Sequence, residues 1–123
     1  MRPKDALGRY GEELACRYLV DAGYRIVARN WRSPAHDLRG EIDIVAYRDR
    51  TVVFCEVKTR RSTAFGAPTE AITPAKSSRM RRLAALWLLD NPHHPPWIRI
   101  DVIGIIRPLT GPSRVEHLKG VLS

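Results

Sequence analysis

The stretch GEIDIVAYRDRTVVFCEVKTR, Gly40–Arg60, reads as two strands joined by a polar turn. Side chains alternate along a strand. In the second strand Val53, Cys55 and Val57 therefore share one face, and Val52, Phe54, Glu56 and Lys58 share the other. In the first, Ile42 and Ile44 point one way, while Glu41, Asp43 and Val45 point the other. The turn falls at Arg48-Asp49-Arg50, without the Asn-Gly pair that favours a tight hairpin. Pairing the strands through so short a turn sets Asp43 near Glu56, with Lys58 just beyond. Burying charge without a partner is costly, so these charges at one end of an apolar hairpin call for a chemical reason.

Two carboxylates at short range raise each other's pKa. Lys58 offsets part of that repulsion, and a divalent cation would offset more. Carboxylate oxygens suit Mg²⁺ or Mn²⁺, which keep waters and combine one or two carboxylates with substrate phosphate oxygens. Such an ion polarises a phosphodiester and lowers the pKa of an attacking water. Lys58 would orient or deprotonate that water, or neutralise charge developing on phosphorus. The competing reading is a structural ion pair, Glu56 with Lys58 or Asp43 with an arginine. Glu41, beside Gly40, reads as a solvated residue at the strand start.

Outward from the hairpin, Asp5 to Ala22 reads as a helix, with Leu7, Leu14, Ala15, Tyr18 and Ala22 on one face. Gly23 ends it. Tyr24 to Trp31 reads as a strand, and SPAHDLRG as a loop. After a polar loop from Arg60 to Pro68, Thr73-Pro74 supplies an N-cap and a proline at the first helical position. That second helix runs to about Asp90 and is stopped by Asn91-Pro92. Trp97 to Ile106 forms a fourth strand and Arg114 to Leu118 a fifth. The order is α-β-β-β-α-β with a final β. Central strands apolar on both faces imply an α/β protein whose sheet is covered by helices.

The chain has 123 residues, which fits one domain over residues 1–123 with one core. Its 17 arginines and 4 lysines against 13 acids give a net charge of +8. So basic a small domain favours a polyanionic partner, a solvated basic surface being the alternative. Cys16 and Cys55 have no metal-ligand spacing and read as small buried hydrophobes in a reducing compartment, with a single disulfide left open. The N-terminus has no secretory pattern. The most apolar window, LAALWLLD, is too short to span a bilayer. A cytoplasmic location is the expectation, with no membrane partner.

Arg60, just past Lys58, is a candidate substrate contact, with Arg61 beside it. Lys76, in the first turn of the second helix, either reaches a backbone phosphate or is a surface lysine. Arg79, Arg81 and Arg82 are phosphate contacts or a solvated face. His36 reads as a solvated loop histidine, and His93-His94 lack partners for a zinc site. Trp31, Trp87 and Trp97 read as core or sheet-edge packing rather than stacking platforms. Asp101 reads as a structural acid paired with an arginine.

The spaced pattern Asp43…Glu56-Val57-Lys58 resembles the PD-(D/E)xK nuclease superfamily, which includes restriction endonucleases and Holliday junction resolvases. The chain more closely resembles the small, uncharacterised bacterial YraN-like family grouped with those nucleases. That likeness is carried by Gly8-Arg-Tyr-Gly11-Glu12-Glu13-Leu-Ala15, Asn30, Gly40-Glu-Ile-Asp43, Glu56-Val-Lys58-Thr59-Arg60, Phe65-Gly66, Lys76 and Arg99-Ile-Asp101-Val102. The superfamily implies a restriction-endonuclease-like α-β-β-β-α-β core, a central mixed sheet flanked by helices. It implies Mg²⁺-dependent phosphodiester cleavage, with Asp43 and Glu56 as metal ligands and Lys58 as the catalytic lysine. It often adds an acid from the first helix. Glu12 fits best, since 100° per residue sets it beside Ala15 and Leu19 while Glu13 points to solvent.

The expected function is thus a metal-dependent endonuclease acting on DNA, with branched or junction structures suggested by the resolvase likeness. The alternative is a non-catalytic nucleic-acid-binding protein that keeps the fold. One small chain offers one active site, so cutting both strands of a junction implies a homodimer.

Overall fold

A computed structural model describes residues 4–33, 39–64 and 66–121. Along the chain come α1 (Lys4–Asp21), β1 (Arg25–Trp31), β2 (Ile42–Arg48) and β3 (Thr51–Arg60). A short 3-10 turn (Pro68–Ala71), α2 (Pro74–Asp90), β4 (Trp97–Ile106) and β5 (Arg114–Leu118) follow. The strands form one sheet in the order β1-β2-β3-β4-β5, antiparallel except for the parallel pair β3–β4. The fold is α/β, a five-stranded mixed sheet flanked by two helices, consistent with a restriction-endonuclease-like core. His36 and Phe65 lie outside the described residues.

The run Val52–Cys55 is fully buried because β3 is the central strand and carries a helix on each face. On one face Ala15 and Leu19 of α1 pack against Ile44, Ala46, Val53, Cys55, Ile103 and Ile105. On the other, Met80, Leu83, Ala84 and Trp87 of α2 pack against Val45, Val52, Phe54 and Ile100. Each fully buried Leu or Phe is worth about 1.5–3 kcal/mol relative to exposure. The start of α2 is capped as the sequence predicts, with the Thr73 hydroxyl accepting from the Lys76 N–H at 3.2 Å.

The hairpin departs from expectation in two ways. Its turn has two residues, not three: Arg48 pairs with Thr51, and Asp49 and Arg50 take φ of 49° and 66°. Two successive left-handed residues match the right-handed twist of the strands, which is why a tight turn forms here without glycine. The second departure is at the open end. Ile42 packs on the α2 side with Val45 and Phe54, whereas Ile44 packs on the α1 side, so the two do not share a face. Regular β2–β3 pairing stops at Ile44 and Cys55. Beyond it the Asp43 carboxylate accepts the Val57 N–H at 2.8 Å, a side chain standing in for the backbone ladder. The strand is thereby released from strict alternation.

Trp97 also differs from the sequence reading. Trp87 is buried and Trp31 packs on the same cluster, but Trp97 is 67% exposed. The polar loop after β3 contains the unexpected 3-10 turn, seated against Gly104, where a Cβ would press on Pro68 and Thr69. Both cysteines are free, Cys55 buried and Cys16 partly so.

Candidate active site

The open end of the hairpin forms one wall of a cleft of about 470 Å³. Glu12, Asp43, Glu56, Lys58 and Arg60 line it, with Arg61 alongside. Glu12 is brought in by the close approach of α1 to β3. Gly11 is buried where any Cβ would collide with the Thr59 hydroxyl, so only glycine lets the helix sit this near the strand. Glu13 is exposed, as its helical angle predicts.

The acids are tightly grouped. Oxygens of Glu12, Glu41 and Asp43 all lie within 4.8 Å of one another. Glu41 is therefore no solvated bystander, and this corrects the sequence reading. Gly40, at φ 98°, bends the chain into β2, and the Glu41 carboxylate accepts from Arg32 Nε at 3.0 Å. β1 supplies the matching contact for Glu12, whose carboxylate accepts from Asn30 Nδ2 at 3.0 Å and faces Arg29 at 3.9 Å. Asn30 itself sits at φ 52°, in the left-handed region that asparagine tolerates best among non-glycine residues. No pattern within the hairpin marks Glu41, because two of its neighbours are Glu12 of α1 and Arg32 just past β1.

Among the acids of the cleft, Asp43 is the one most displaced from its ordinary pKa. Burial, then the charge of Glu56, push its pKa up to about 8 against the opposing Val57 N–H bond. Glu12 is also raised, first by burial, with Arg29 opposing and Glu41 and Glu56 adding to the rise. Glu56 is turned toward Lys58, whose Nζ lies 3.3 Å from its carboxylate. Lys76 reaches the same place from α2. Its pKa is lowered, first by the Lys58 ammonium beside it and then by burial.

The sequence-predicted set of Glu12, Asp43, Glu56, Lys58 and Arg60 thus converges on one cleft, and Lys76 lies against Lys58. Arg60 is exposed at its rim, its Nη1 donating to the Thr59 carbonyl at 3.3 Å. Asp101 lies elsewhere, as predicted. It is 0% exposed, accepts from Arg99 Nε at 2.9 Å and from the Gly120 N–H at 2.9 Å, and lies 2.7 Å from His117 Nε2.

Fold and site together define an α/β protein whose hairpin and first helix line one cleft with three carboxylates and a lysine, with Glu41 grouped on the acids and Lys76 of the second helix beside Lys58. The chain belongs to the uncharacterised protein family UPF0102, whose family model matches residues 11–105. It is 52% identical over 120 residues to a UPF0102 protein of Frankia alni, an alignment covering 98% of this chain and 97% of that one. A UPF0102 protein of Beutenbergia cavernae is 52% identical over 121 residues, covering 98% and 99% of the two chains. One from Arthrobacter is 50% identical over 121 residues with the same coverage. The resemblance to the small uncharacterised bacterial family is borne out at full length. Among the described residues no helix is long and apolar enough to cross a membrane.

Proposed function

We propose that this protein is a divalent-metal-dependent endonuclease that hydrolyses phosphodiester bonds in DNA, with branched or junction DNA as its substrate class. The observation that carries the reading is the convergence of Asp43, Glu56 and Lys58 with Glu12 in one solvent-open cleft. A pure binding surface gains nothing from carboxylates aimed at phosphates.

The donor set fits magnesium or manganese. It consists of carboxylate oxygens alone, which suit hard dications. Asp43 and Glu12 are held above their ordinary pKa by burial first and by neighbouring carboxylates, Glu56 and Glu41 acting on both, a strain that a cation relieves. Asp43 would hold the ion with Glu12 and Glu41, whose oxygens are grouped with its own within 4.8 Å, and Glu56, the second ligand that the sequence pattern implies, faces Lys58 beside them. When bound it supplies Lewis acidity toward a phosphodiester oxygen and lowers the pKa of an attacking water.

The chain's own groups do the rest. Asn30 and Arg29 orient the Glu12 carboxylate, and Arg32 orients Glu41. Glu56 fixes the Lys58 ammonium at the cleft, where it stabilises charge developing on phosphorus. Lys76, Arg60 and Arg61 neutralise neighbouring phosphates and set the strand's register. One cleft per chain cuts one strand, so resolving a junction calls for a homodimer. A reducing cytoplasm agrees with the two free cysteines.

The test is incubation with junction, flap, single-stranded and duplex DNA in Mg²⁺, Mn²⁺ or EDTA. Metal-dependent cutting of a branched substrate is the expected result. Binding without cutting in any metal would instead mark a non-catalytic nucleic-acid-binding protein.

A further inference from the structure

The opposite end of the sheet carries a second set of groups that the cleft does not use. Trp97 opens β4 there with its indole exposed. Among the described residues no hydrogen bond, ion pair or ring contact engages that indole. Only its backbone is tied down, the Trp97 N–H donating to the Arg50 carbonyl at 3.1 Å. Thr51 pairs with Arg48 on one side and with Trp97 on the other. Arg48 and Trp97 therefore stand in one cross-strand row, on the face that α1 covers further along. Arg99 follows on the same face, and the Arg48 and Arg99 guanidiniums lie over the Tyr24 ring, 5.2 and 5.8 Å from its centroid. Arg50 is exposed in the turn beside them.

Two acids near these arginines are already engaged. Asp49 pairs with Arg48 at 3.4 Å, and Asp101 is buried and already bonded to Arg99. An open indole beside exposed guanidiniums matches what an unpaired nucleotide presents, a base face for stacking and a phosphate for charge. A duplex hides its base faces, so it does not satisfy the indole.

We propose that this turn end is a second nucleic-acid site, where Trp97 stacks an unpaired base and Arg48 and Arg50 hold the adjoining phosphates. The proposal rests on the nucleic-acid partner of the reading above but not on cleavage. It also deepens the substrate class. From Thr51 to Lys58 along β3 is about 23 Å at ~3.3 Å per residue, or about seven base steps of duplex at ~3.4 Å each. α1 spans the same interval, with Glu12 in the cleft and Gly23, just past its end, beside Arg48. The substrate then carries its unpaired segment several base steps from the scissile bond, as a flap or an open junction arm does.

The experiment titrates the full chain, in EDTA so that nothing is cut, with a short oligothymidylate and with a duplex of equal length. Tryptophan fluorescence and anisotropy are followed together. The oligothymidylate should quench emission, and Trp97→Ala should abolish most of the quenching while weakening binding about tenfold or more. Trp97→Phe should keep most of the affinity. Arg50→Gly should weaken binding yet raise the melting temperature, because φ 66° suits glycine, so lost binding is separated from lost folding. Unchanged affinity in Trp97→Ala overturns the proposal. So does a sedimentation shift between wild type and Trp97→Ala without DNA, which would mean that a second copy covers the indole. Trp97-dependent binding with no cutting in any metal retires the nuclease reading alone. Cutting with Trp97-independent binding retires this site alone.

Discussion

The Asp43 carboxylate accepts the Val57 N–H at 2.8 Å, so one acid of the candidate site also closes the β2–β3 ladder. The group is held in place by the fold while its charge is opposed by it. Structure and electrostatics at this residue pull in opposite directions, and pH is the lever that separates them.

Burial and Glu56 push Asp43 up to about 8, whereas in the unfolded chain it titrates at ~3.9. The folded state therefore binds this proton more tightly. Its stabilising effect is complete below about pH 4 and is lost as pH rises through about 8. Melting temperature in EDTA should fall across that window. Asp43→Asn, which keeps an acceptor for Val57, should flatten the fall and raise stability at the alkaline end by several degrees, at about 4 °C per kcal/mol. Added Mn²⁺ should stabilise the wild type and not the Asn variant.

Lys58→Ala should separate chemistry from affinity. Cleavage of branched DNA should drop by about 10²–10⁴-fold, the range for losing a positioned proton-transfer or charge-stabilising group. Binding in EDTA should stay close to wild type, since Lys76, Arg60 and Arg61 remain. Equal loss of both would make Lys58 a phosphate contact only.

Gly11→Ala should cost about 1–3 kcal/mol, because the added methyl meets the Thr59 side chain where α1 crosses β3. Thr59→Ala in the same chain should recover most of it, a coupling readable in a double-mutant thermal cycle. If the single variant melts like wild type, α1 has room to retreat and Glu12 is not held by this contact.

Asp101→Ala should be the most damaging change away from the cleft, at about 3–5 kcal/mol, since it strands the Arg99 guanidinium and removes the His117 contact. Burial alone would raise the Asp101 pKa, but bonds from His117, Arg99 and the Gly120 N–H outweigh it and the net shift is downward. That contribution is present above the unfolded pKa of ~3.9 and is lost as pH falls below it. Acid unfolding of the wild type should therefore be steeper than that of the variant.

Much of the site is legible in the sequence. Asp43, Glu56 and Lys58 lie on two strands of period two joined by a short turn, so local rules suffice to bring them together. Glu12 followed from helical angle, because Ala15 and Leu19 fix which side of α1 faces the sheet. Glu41 did not follow. Its neighbours are Arg32, Glu12 and Asp43, and the slip in alternation that admits it arises from a side chain bonding to Val57. The His117–Asp101 contact joins strands 16 residues apart through register alone, and neither sequence neighbourhood hints at it. Trp97 departs from the packing expected of it because neither helix reaches the first residue of β4.

The parallel pairing of β3 with β4 has a consequence for synthesis. The second edge of β3, from Thr51 to Arg60, is paired only by Trp97 to Ile106. Until that part of the chain has emerged from the ribosome, the hairpin presents an unpaired edge rich in valine and phenylalanine. Such edges recruit other chains. A truncation or ribosome stall just before β4 should yield an aggregating fragment rather than a partly working one, even though every acid and lysine of the candidate cleft has already been made.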